Sequence, residues 1–430
     1  MVDEYARVPT INDHTHVIAE ADRLTRDLDA LAYLSHPYIA SDLLASGMPP
    51  ADLRFATGCE GDLSPPIDRH PPGPLDARWE RVAPFWAHVR HGGFARCLTE
   101  GWAATFGIGQ LDASTVDALS VRIRAACVPG HYRQVLRDNA NIKVSLVQMT
   151  GTYGEDVAEV DRELFLPVPR LNRFTMVHRR SDLESLEADS GTRLRTLDQL
   201  AHAMGSCATR WKAAGAPAIK LSQSYHRAMD FGDPDRFGAT RALRAAWDGT
   251  YTGLDSSAGR VLEDWLVDAA VRAATAVGLP VEFHVGPRAG TYGTLEGTRL
   301  APMAPFLRRH RDARFDISHA GFPAFREAAV LAKTFANVYL NLSWIHVYSP
   351  EACVAALREW VQMVPTNKVL GFGDDLYWVD TIHGHLVIAR RNVANAMVGL
   401  IEDGTLRERD AVDIGRALFH DNPAALYGIT

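Results

Sequence analysis

Short apolar runs that alternate with longer helical segments are the feature that most constrains the fold of this chain. Eight such runs occur in its 430 residues, at 7–13, 142–148, 173–178, 218–221, 281–284, 314–319, 338–342 and 368–372. Segments with the period of a helix separate most pairs, for example 196–213, 260–277, 324–335 and 351–363. Strands that alternate with helices indicate a parallel sheet, and eight of them are the number that a closed barrel requires. We therefore predict an α/β fold, a (β/α)8 TIM barrel.

A long helical segment separates the first strand from the second. Residues 18–140 carry leucines at helical spacing, beginning with Leu24 and Leu28, and a proline-rich loop at 64–74 interrupts them. No helix or central strand would tolerate that loop. We expect one domain over residues 1–430, in which 18–140 form a large helical insertion after strand 1 that acts as a lid or cap.

Composition and charge narrow the class of partner. The net charge of −7 offers no broad basic surface for nucleic acid or for an anionic membrane, so we expect a small-molecule substrate. The five cysteines are widely scattered, with no Cys-x-x-Cys pair, which indicates neither a disulfide framework nor a thiolate zinc site. The N-terminal residues lack a signal-peptide core, and no apolar run approaches the ~18 residues of a spanning helix. We predict a cytoplasmic protein.

Histidines and aspartates stand at the ends of the predicted strands. His14 and His16 are two residues apart, so on a strand they point to the same face and can grip one metal ion. His284, His319 and Asp375 end later strands, and the C-terminal ends of barrel strands converge at one face. Neutral imidazoles and a carboxylate suit zinc, iron or manganese. A first strand that ends in histidines also disfavours a doubly wound open sheet, which usually carries a glycine-rich phosphate loop there.

These motifs resemble the amidohydrolase superfamily, and within it the branch of compact barrels that includes uronate isomerases and metal-dependent decarboxylases. The matching motifs are His-x-His at 14–16, Glu-Phe-His-Val-Gly around His284, Ile-Ser-His-Ala-Gly around His319, Phe-Gly-Asp-Asp at 372–375 and the closing helix at 418–427. The resemblance spans essentially the whole chain, and the insertion after strand 1 is similar to that of uronate isomerases in particular.

The resemblance implies His14, His16, His284 and Asp375 as metal ligands. One ion, most simply zinc, is favoured over two, with manganese or iron as alternatives. Asp375 and His319 are the implied catalytic residues, His319 polarising the substrate rather than binding the ion. A shift of one residue would present Asp374 instead of Asp375, and the Phe-Gly-x-Asp spacing favours Asp375.

Lys220, at the end of strand 4, leaves three alternatives open. If carboxylated, its carbamate would bridge two metal ions; if free, its cation would contact a substrate carboxylate, or the side chain would simply extend along apolar surface toward water. We favour the free lysine. The residues that we expect to contact substrate follow strands 4, 7 and 8, and they are Lys220, Tyr225, Arg227, Trp344, His346 and Trp378.

The leading expectation is metal-assisted hydrolysis of an amide, lactone or related carbonyl in a small molecule. The alternative keeps the same site but performs isomerase or decarboxylase chemistry on a small carboxylate. A non-catalytic barrel is disfavoured, because ligands, a further histidine and paired aspartates are more than a structural ion needs. The resemblance also implies a possible homodimer.

Overall fold

Eight parallel strands form the centre of the molecule. The computed structural model describes residues 1–58, 73–149, 160–288, 290, 293 and 295–430, and these contain all eight. The strands are β1 Thr10–Thr15, β2 Ile142–Gln148, β3 Phe165–Val168, β4 Ile219–Leu221, β5 Val281–Phe283, β6 Phe315–Ile317, β7 Val338–Asn341 and β8 Val369–Leu370. They pair in chain order, β1 to β3 in one sheet and β4 to β8 in another.

Backbone hydrogen bonds join the two sheets into a closed barrel. Between β3 and β4, the Lys220 N–H donates to the Pro169 carbonyl at 2.9 Å, and the Leu171 N–H donates back to Lys220 at 3.2 Å. Between β8 and β1, the Asp13 N–H donates to the Phe372 carbonyl at 2.9 Å. A closed ring of eight parallel strands with helices between them is the predicted (β/α)8 TIM barrel.

Helices surround the barrel and fill the connection between β1 and β2. In chain order they are α1 Val2–Ala6, α2 Glu20–Leu24, α3 Pro37–Ala45, α4 Pro50–Thr57, α5 Leu75–Val89, α6 Gly93–Phe106, α7 Val116–Ala125, α8 His131–Arg133, α9 Asn172–Thr175, α10 Arg180–Ser190, α11 Leu197–Ala213, α12 Arg236–Asp248, α13 Ser257–Ala276, α14 Ala304–Arg309, α15 Phe325–Thr334, α16 Ile345–Tyr348, α17 Pro350–Met363, α18 Val379–Glu402, α19 Glu408–Arg416 and α20 Asn422–Tyr427. Among the described helices, none combines the length and apolarity that a bilayer crossing demands.

The inside of the barrel changes from apolar to charged along its axis. A small apolar cluster joins β1, β2, β3, β4 and β8 to Leu426 and Tyr427 of α20, which therefore plugs the N-terminal end of the barrel. Further along the strands, Asp13, Lys220 and Glu282 are fully buried. Charged groups inside a barrel cost free energy unless they are paired or serve a site, so this layer directs attention to the C-terminal mouth above it.

The structure corrects the position of the third strand. We predicted it at 173–178, but α9 occupies Asn172–Thr175, and β3 lies earlier, at Phe165–Val168. Pro167 and Pro169 made this segment unlike a strand. The backbone nitrogens of both prolines, which carry no hydrogen, face β4 rather than β2. Because β3 and β4 pair only at their ends, neither proline interrupts the hydrogen bonds between β2 and β3.

The segment between β1 and β2 packs tightly on the barrel through α6 and α18. Gly101 of α6 and Gly384 of α18 lie at the crossing, and a Cβ built at Gly384 would come within 2.3 Å of the Gly101 nitrogen. The absence of side chains there allows the two helix backbones to touch. The predicted proline-rich loop lies largely outside the described residues, as does Cys59.

Candidate metal centre

His14, in β1, and His16, directly after it, converge on one carboxylate oxygen at the barrel mouth. His14 Nε2 lies 3.0 Å from Asp375 Oδ1, and His16 Nε2 lies 3.1 Å from the same oxygen. All three residues are buried or nearly so. The alternation of side chains along a strand explains why both rings reach one point, since the residue between them, Thr15, faces away.

The two aspartates after β8 have separate tasks. Asp374 accepts hydrogen bonds from Thr15 Oγ1 at 2.8 Å and from the Leu376 N–H at 2.6 Å, and Asn12 also donates to it. Asp375 instead faces the histidines, and its backbone adopts a left-handed conformation with φ of 57°. Asp374 fixes the turn, and this turn carries the carboxylate of Asp375 to the centre.

A buried glutamate orients the ring of His14. Glu282 Oε1 lies 2.5 Å from His14 Nδ1, so the opposite ring nitrogen is directed at Asp375. Lys220 pairs with the same carboxylate oxygen and lies 3.4 Å from His14 Nδ1. A carboxylate behind a histidine fixes its tautomer and raises its basicity, as it does behind many metal-ligating histidines. Glu282 was missed at the sequence level, although it lies two residues before His284 on one face of β5.

His319 and His284 form the other side of the centre. His14, His319 and Asp375 each offer a ligand atom, and these atoms lie within 4.8 Å of one another. His319 Nε2 lies 2.9 Å from His284 Nδ1, and the two rings are 4.3 Å apart. The buried His284 Nε2 has no hydrogen-bond partner among the described residues. The structure thus groups His319 with His14 and Asp375, and places His284 directly behind it.

The charge states of these side chains suit a cation. Burial lowers the pKa of His16 to about 4 and that of His319 to about 3, so both rings are neutral and keep a free lone pair. Burial alone would raise the pKa of Asp375, but His14 and His16 hold it well below its usual range. The Nε2 atom of His284, which has no hydrogen-bond partner among the described residues, is a further atom that can bind the ion. Burial and Lys220 act to lower the pKa of His14, but Glu282 and Asp375 raise it above its ordinary value. The ionised carboxylate of Asp375 beside the neutral rings of His16 and His319 is a donor set that zinc, manganese or iron would accept.

A cavity of about 890 Å³ opens above this centre. Its wall includes His16 and Asp375 from the barrel, His36 and Tyr38 from the segment between β1 and β2, and Tyr225 from the loop after β4. The arginines in its lining are Arg26, Arg170 and Arg288. The carboxylates of Glu20, Asp22 and Asp161 line the same cavity, so its wall is mixed in charge. Arg170, which lies beside His16, and Arg288 are the cations placed to hold a small anionic group such as a carboxylate.

Two of these wall residues touch the metal centre itself. The Tyr38 hydroxyl donates a hydrogen bond to Asp375 Oδ2, and Arg170 Nη2 lies 3.5 Å from His16 Nε2. No sequence pattern pointed to Tyr38, because a helix in an insertion has no periodicity that relates it to a barrel strand. Arg170 follows the true β3, so the misplaced third strand concealed it.

Four of the six residues expected to contact substrate, namely Lys220, Arg227, His346 and Trp378, line neither of the two cavities that the described residues form beside the centre. Lys220 is buried against Glu282. Arg227 forms ion pairs with Glu263 at 3.1 Å and Asp264 at 2.8 Å. Both charged side chains thus have buried partners inside the fold.

The other two of these four residues are aromatic. His346 is fully buried, with Nε2 2.8 Å from the Gly371 carbonyl oxygen. Trp378 is buried against Tyr33, at a ring distance of 5.2 Å. Tyr225 lines the cavity, and Trp344 lines a neighbouring one.

Comparison with known sequences supports this assignment of the barrel. Residues 195–429, more than half of the chain, match the amidohydrolase family model. The fluG protein of Emericella nidulans is 24% identical over 176 residues, which is 39% of this chain and 20% of that protein. The chain therefore spans about a fifth of the length of this curated relative.

Solved structures share the fold over nearly the whole chain. A uronate isomerase from Thermotoga maritima has a TM-score of 0.81 at 15% identity, covering 99% of this chain and 96% of that one. A glucuronate isomerase from Caulobacter crescentus has a TM-score of 0.80 at 17% identity, covering 99% and 93%. A uronate isomerase from Bacillus halodurans has a TM-score of 0.68 at 13% identity, covering 100% and 95%. At these identities the likeness shows a common fold.

Proposed function

Because this chain belongs to the amidohydrolase family, we propose that it is a metal-dependent enzyme that acts on a small carboxylate-bearing molecule. The observation that carries the proposal is the convergence of His14, His16 and Asp375 at the floor of a cavity with arginines in its wall. The barrel mouth is where enzymes of this fold hold their reacting groups.

We propose His14, His16 and Asp375 as the residues that hold one divalent ion, with His284 or His319 completing the set. Zinc is the first candidate, and manganese and iron are the alternatives. When bound, such an ion supplies Lewis-acid polarisation of an oxygen and lowers the pKa of water. Lys220 is buried against Glu282, which supports a free amine and a single ion rather than a bridging carbamate.

Hydrolysis is the first candidate reaction, and it assigns a task to each side chain. Arg170 and Arg288 hold the substrate carboxylate in the cavity. The carboxylate of Asp375 accepts a proton from the attacking water and returns it to the leaving group. Neutral His319 donates its ring N–H to the oxygen on which negative charge develops. Tyr38 holds Asp375 in place through its hydrogen bond to Oδ2.

Isomerisation of a sugar acid is the second candidate. The observation that favours it is the likeness to uronate and glucuronate isomerases over 99% of this chain, which includes the helices between β1 and β2. In that reaction the carboxylate of Asp375 and a second base would move protons between adjacent carbons, with no attacking water. The arginines would bind the acid group in the same manner.

Two measurements test these proposals. Elemental analysis of protein purified without chelator, together with the intact mass, should give about one ion per chain and an unmodified Lys220. Absence of any bound divalent metal would reject the proposed centre. Product analysis in ¹⁸O-labelled water then separates the reactions, because only hydrolysis places solvent oxygen at the cleaved carbonyl. A turnover without incorporated label would select isomerisation or decarboxylation.

We propose in addition that the protein is cytoplasmic and forms a homodimer. The scattered cysteines suit a reducing compartment, and those that the structure describes, Cys97, Cys127, Cys207 and Cys353, are free thiols. Light scattering coupled to size-exclusion chromatography measures the mass in solution, and a monomer mass would reject the dimer.

A further inference from the structure

A second cavity, of about 680 Å³, lies beside the first and shares Tyr38 and Arg288 with it. Four aromatic side chains line it, namely Tyr38, Phe94, Trp344 and Tyr348. They contact one another in a chain of rings: Tyr38 stacks on Phe94 at 4.5 Å, and Trp344 lies 3.9 Å from Tyr348. Phe94, Tyr38 and Trp344 are buried, so their positions are fixed by packing.

One carboxylate faces this aromatic cavity. Asp42 of α3 lines it, and within the described parts of the chain no cation or hydrogen-bond donor pairs with its side chain. Burial raises the pKa of Asp42 to about 6, so the group is largely ionised above neutral pH. Asp42 is partly buried, and a partly desolvated carboxylate without a partner carries a cost that a cationic ligand would reduce.

We propose that this second cavity binds a substituted ammonium group. Aromatic faces attract such a cation through their quadrupoles, and Asp42 supplies the opposite charge. Apolar substituents on the nitrogen would pack against the rings of Phe94, Trp344 and Tyr348, where a hydrated metal ion would not fit as well.

The position of Arg288 indicates what carries the ammonium group. Arg288 lines both cavities, and its guanidinium carbon lies 5.7 Å from the ring centre of Tyr225, on the side of the metal centre. A ligand that reaches through both cavities would therefore present a carboxylate to Arg288 and an ammonium group to Asp42. This step, which makes the substrate zwitterionic, rests on the proposed function; the ammonium site itself does not.

The test compares two probes of equal shape. Choline and its neutral isostere dimethylbutanol, in which carbon replaces nitrogen, are titrated by calorimetry into metal-loaded protein at about pH 8, where Asp42 is ionised. We expect choline to bind at least roughly tenfold more tightly. Equal affinity of the two probes would show a merely apolar cavity and would overturn the proposal, as would no binding of either. Since the readout is binding, it does not depend on which reaction the enzyme performs.

Two variants locate the site. Asp42→Asn should weaken choline binding by roughly tenfold and leave dimethylbutanol unchanged, and Phe94→Leu should weaken both. Asp410→Asn, at a surface carboxylate paired with Arg407, is the matched control and should change neither. Undiminished choline binding by folded Asp42→Asn protein would overturn the assignment. If that variant fails to fold, the comparison of the two probes on the native protein still decides.

Discussion

Three residues at the ends of adjacent strands adopt a left-handed backbone conformation that residues other than glycine seldom take. His319, Trp344 and Asp375 follow β6, β7 and β8, with φ of 63°, 68° and 57°. Left-handed backbone at such residues costs on the order of 1 kcal/mol or more, and it persists where surrounding structure demands it. Here it turns His319 and Asp375 toward one point and Trp344 toward the second cavity.

The neighbouring aspartates provide the first prediction. Asp375→Asn should lower turnover about 10³-fold and reduce bound metal, because it removes an ionised ligand and proton acceptor. Asp374→Asn should retain the metal but lose roughly 1–3 kcal/mol of stability, since its amide would face the donating amide of Asn12. Metal analysis and denaturant unfolding of both variants check this. Loss of metal from Asp374→Asn alone would exchange the two roles.

Tyr38 provides the second prediction. Tyr38→Phe removes the hydrogen bond to Asp375 Oδ2 while keeping the stacked ring, so we expect kcat to fall roughly tenfold or more with the metal content unchanged. Tyr5→Phe is the matched control, because its hydroxyl donates to the Ala411 carbonyl far from the cavity. Equal kcat values for Tyr38→Phe and the native enzyme would remove Tyr38 from the reaction.

At the scale of elements, the crossing of α6 and α18 provides the third prediction. Gly384→Ala places a Cβ 2.4 Å from the Cys97 carbonyl oxygen, which forces the helices apart and should cost roughly 1–3 kcal/mol. Gly205→Ala, in α11 with no atom within 4 Å of the added Cβ, should instead stabilise by roughly 0.5–1 kcal/mol. Urea denaturation measures both. A neutral Gly384→Ala would mean that the two helices do not touch as described.

The fourth prediction concerns a buried ion pair between Arg23 of α2 and Asp380 of α18. Burial alone would raise the pKa of Asp380, but Arg23 and His131 hold it well below the usual range. Its contribution to stability is therefore full above its unfolded pKa of about 4 and is lost as the pH falls below that value. Asp380→Asn leaves the buried Arg23 uncompensated, which should cost about 3 kcal/mol at neutral pH.

The pH dependence separates this pair from a surface effect. The difference in unfolding free energy between native protein and Asp380→Asn should shrink as the pH falls from about 5 toward 3. Asp198→Asn, at an exposed pair with Arg236, should leave the unfolding free energy almost unchanged across the same pH range. A difference that stays constant with pH would contradict the ionised pair.

The sequence predicts the elements of the barrel better than their contacts. Seven strand positions agree with the structure, because buried parallel strands are short apolar runs between helices. β3 was missed since its prolines suppress the pattern. Tyr38 reaches the centre through tertiary packing that no local pattern encodes. Arg227 shows the opposite error, because a charged residue near a strand end looks functional until its buried partner Glu263 is seen.

At the scale of the whole molecule, the fifth prediction is that bound metal stabilises the closed barrel. His14 lies in the first strand and Asp375 follows the last, and these two strands close the barrel. An ion that binds only the folded chain should add about 4 kcal/mol of stability at a thousandfold excess over its Kd. Chelation should therefore lower Tm by several degrees. Thermal unfolding with and without chelator measures this. A Tm that metal does not change would contradict the predicted stabilisation.

The pairing of β1 with β8 also determines when during synthesis the residues of the proposed centre can come together. Asp375 is synthesised 361 residues after His14, and the α20 plug follows later still. Contacts so distant along the chain form late, because a long loop must close before they repay its entropy. The nascent chain thus exposes its histidine pair while the rest of the ligand set is still unmade. The full ligand set of the proposed centre is therefore complete only after Asp375 has been synthesised.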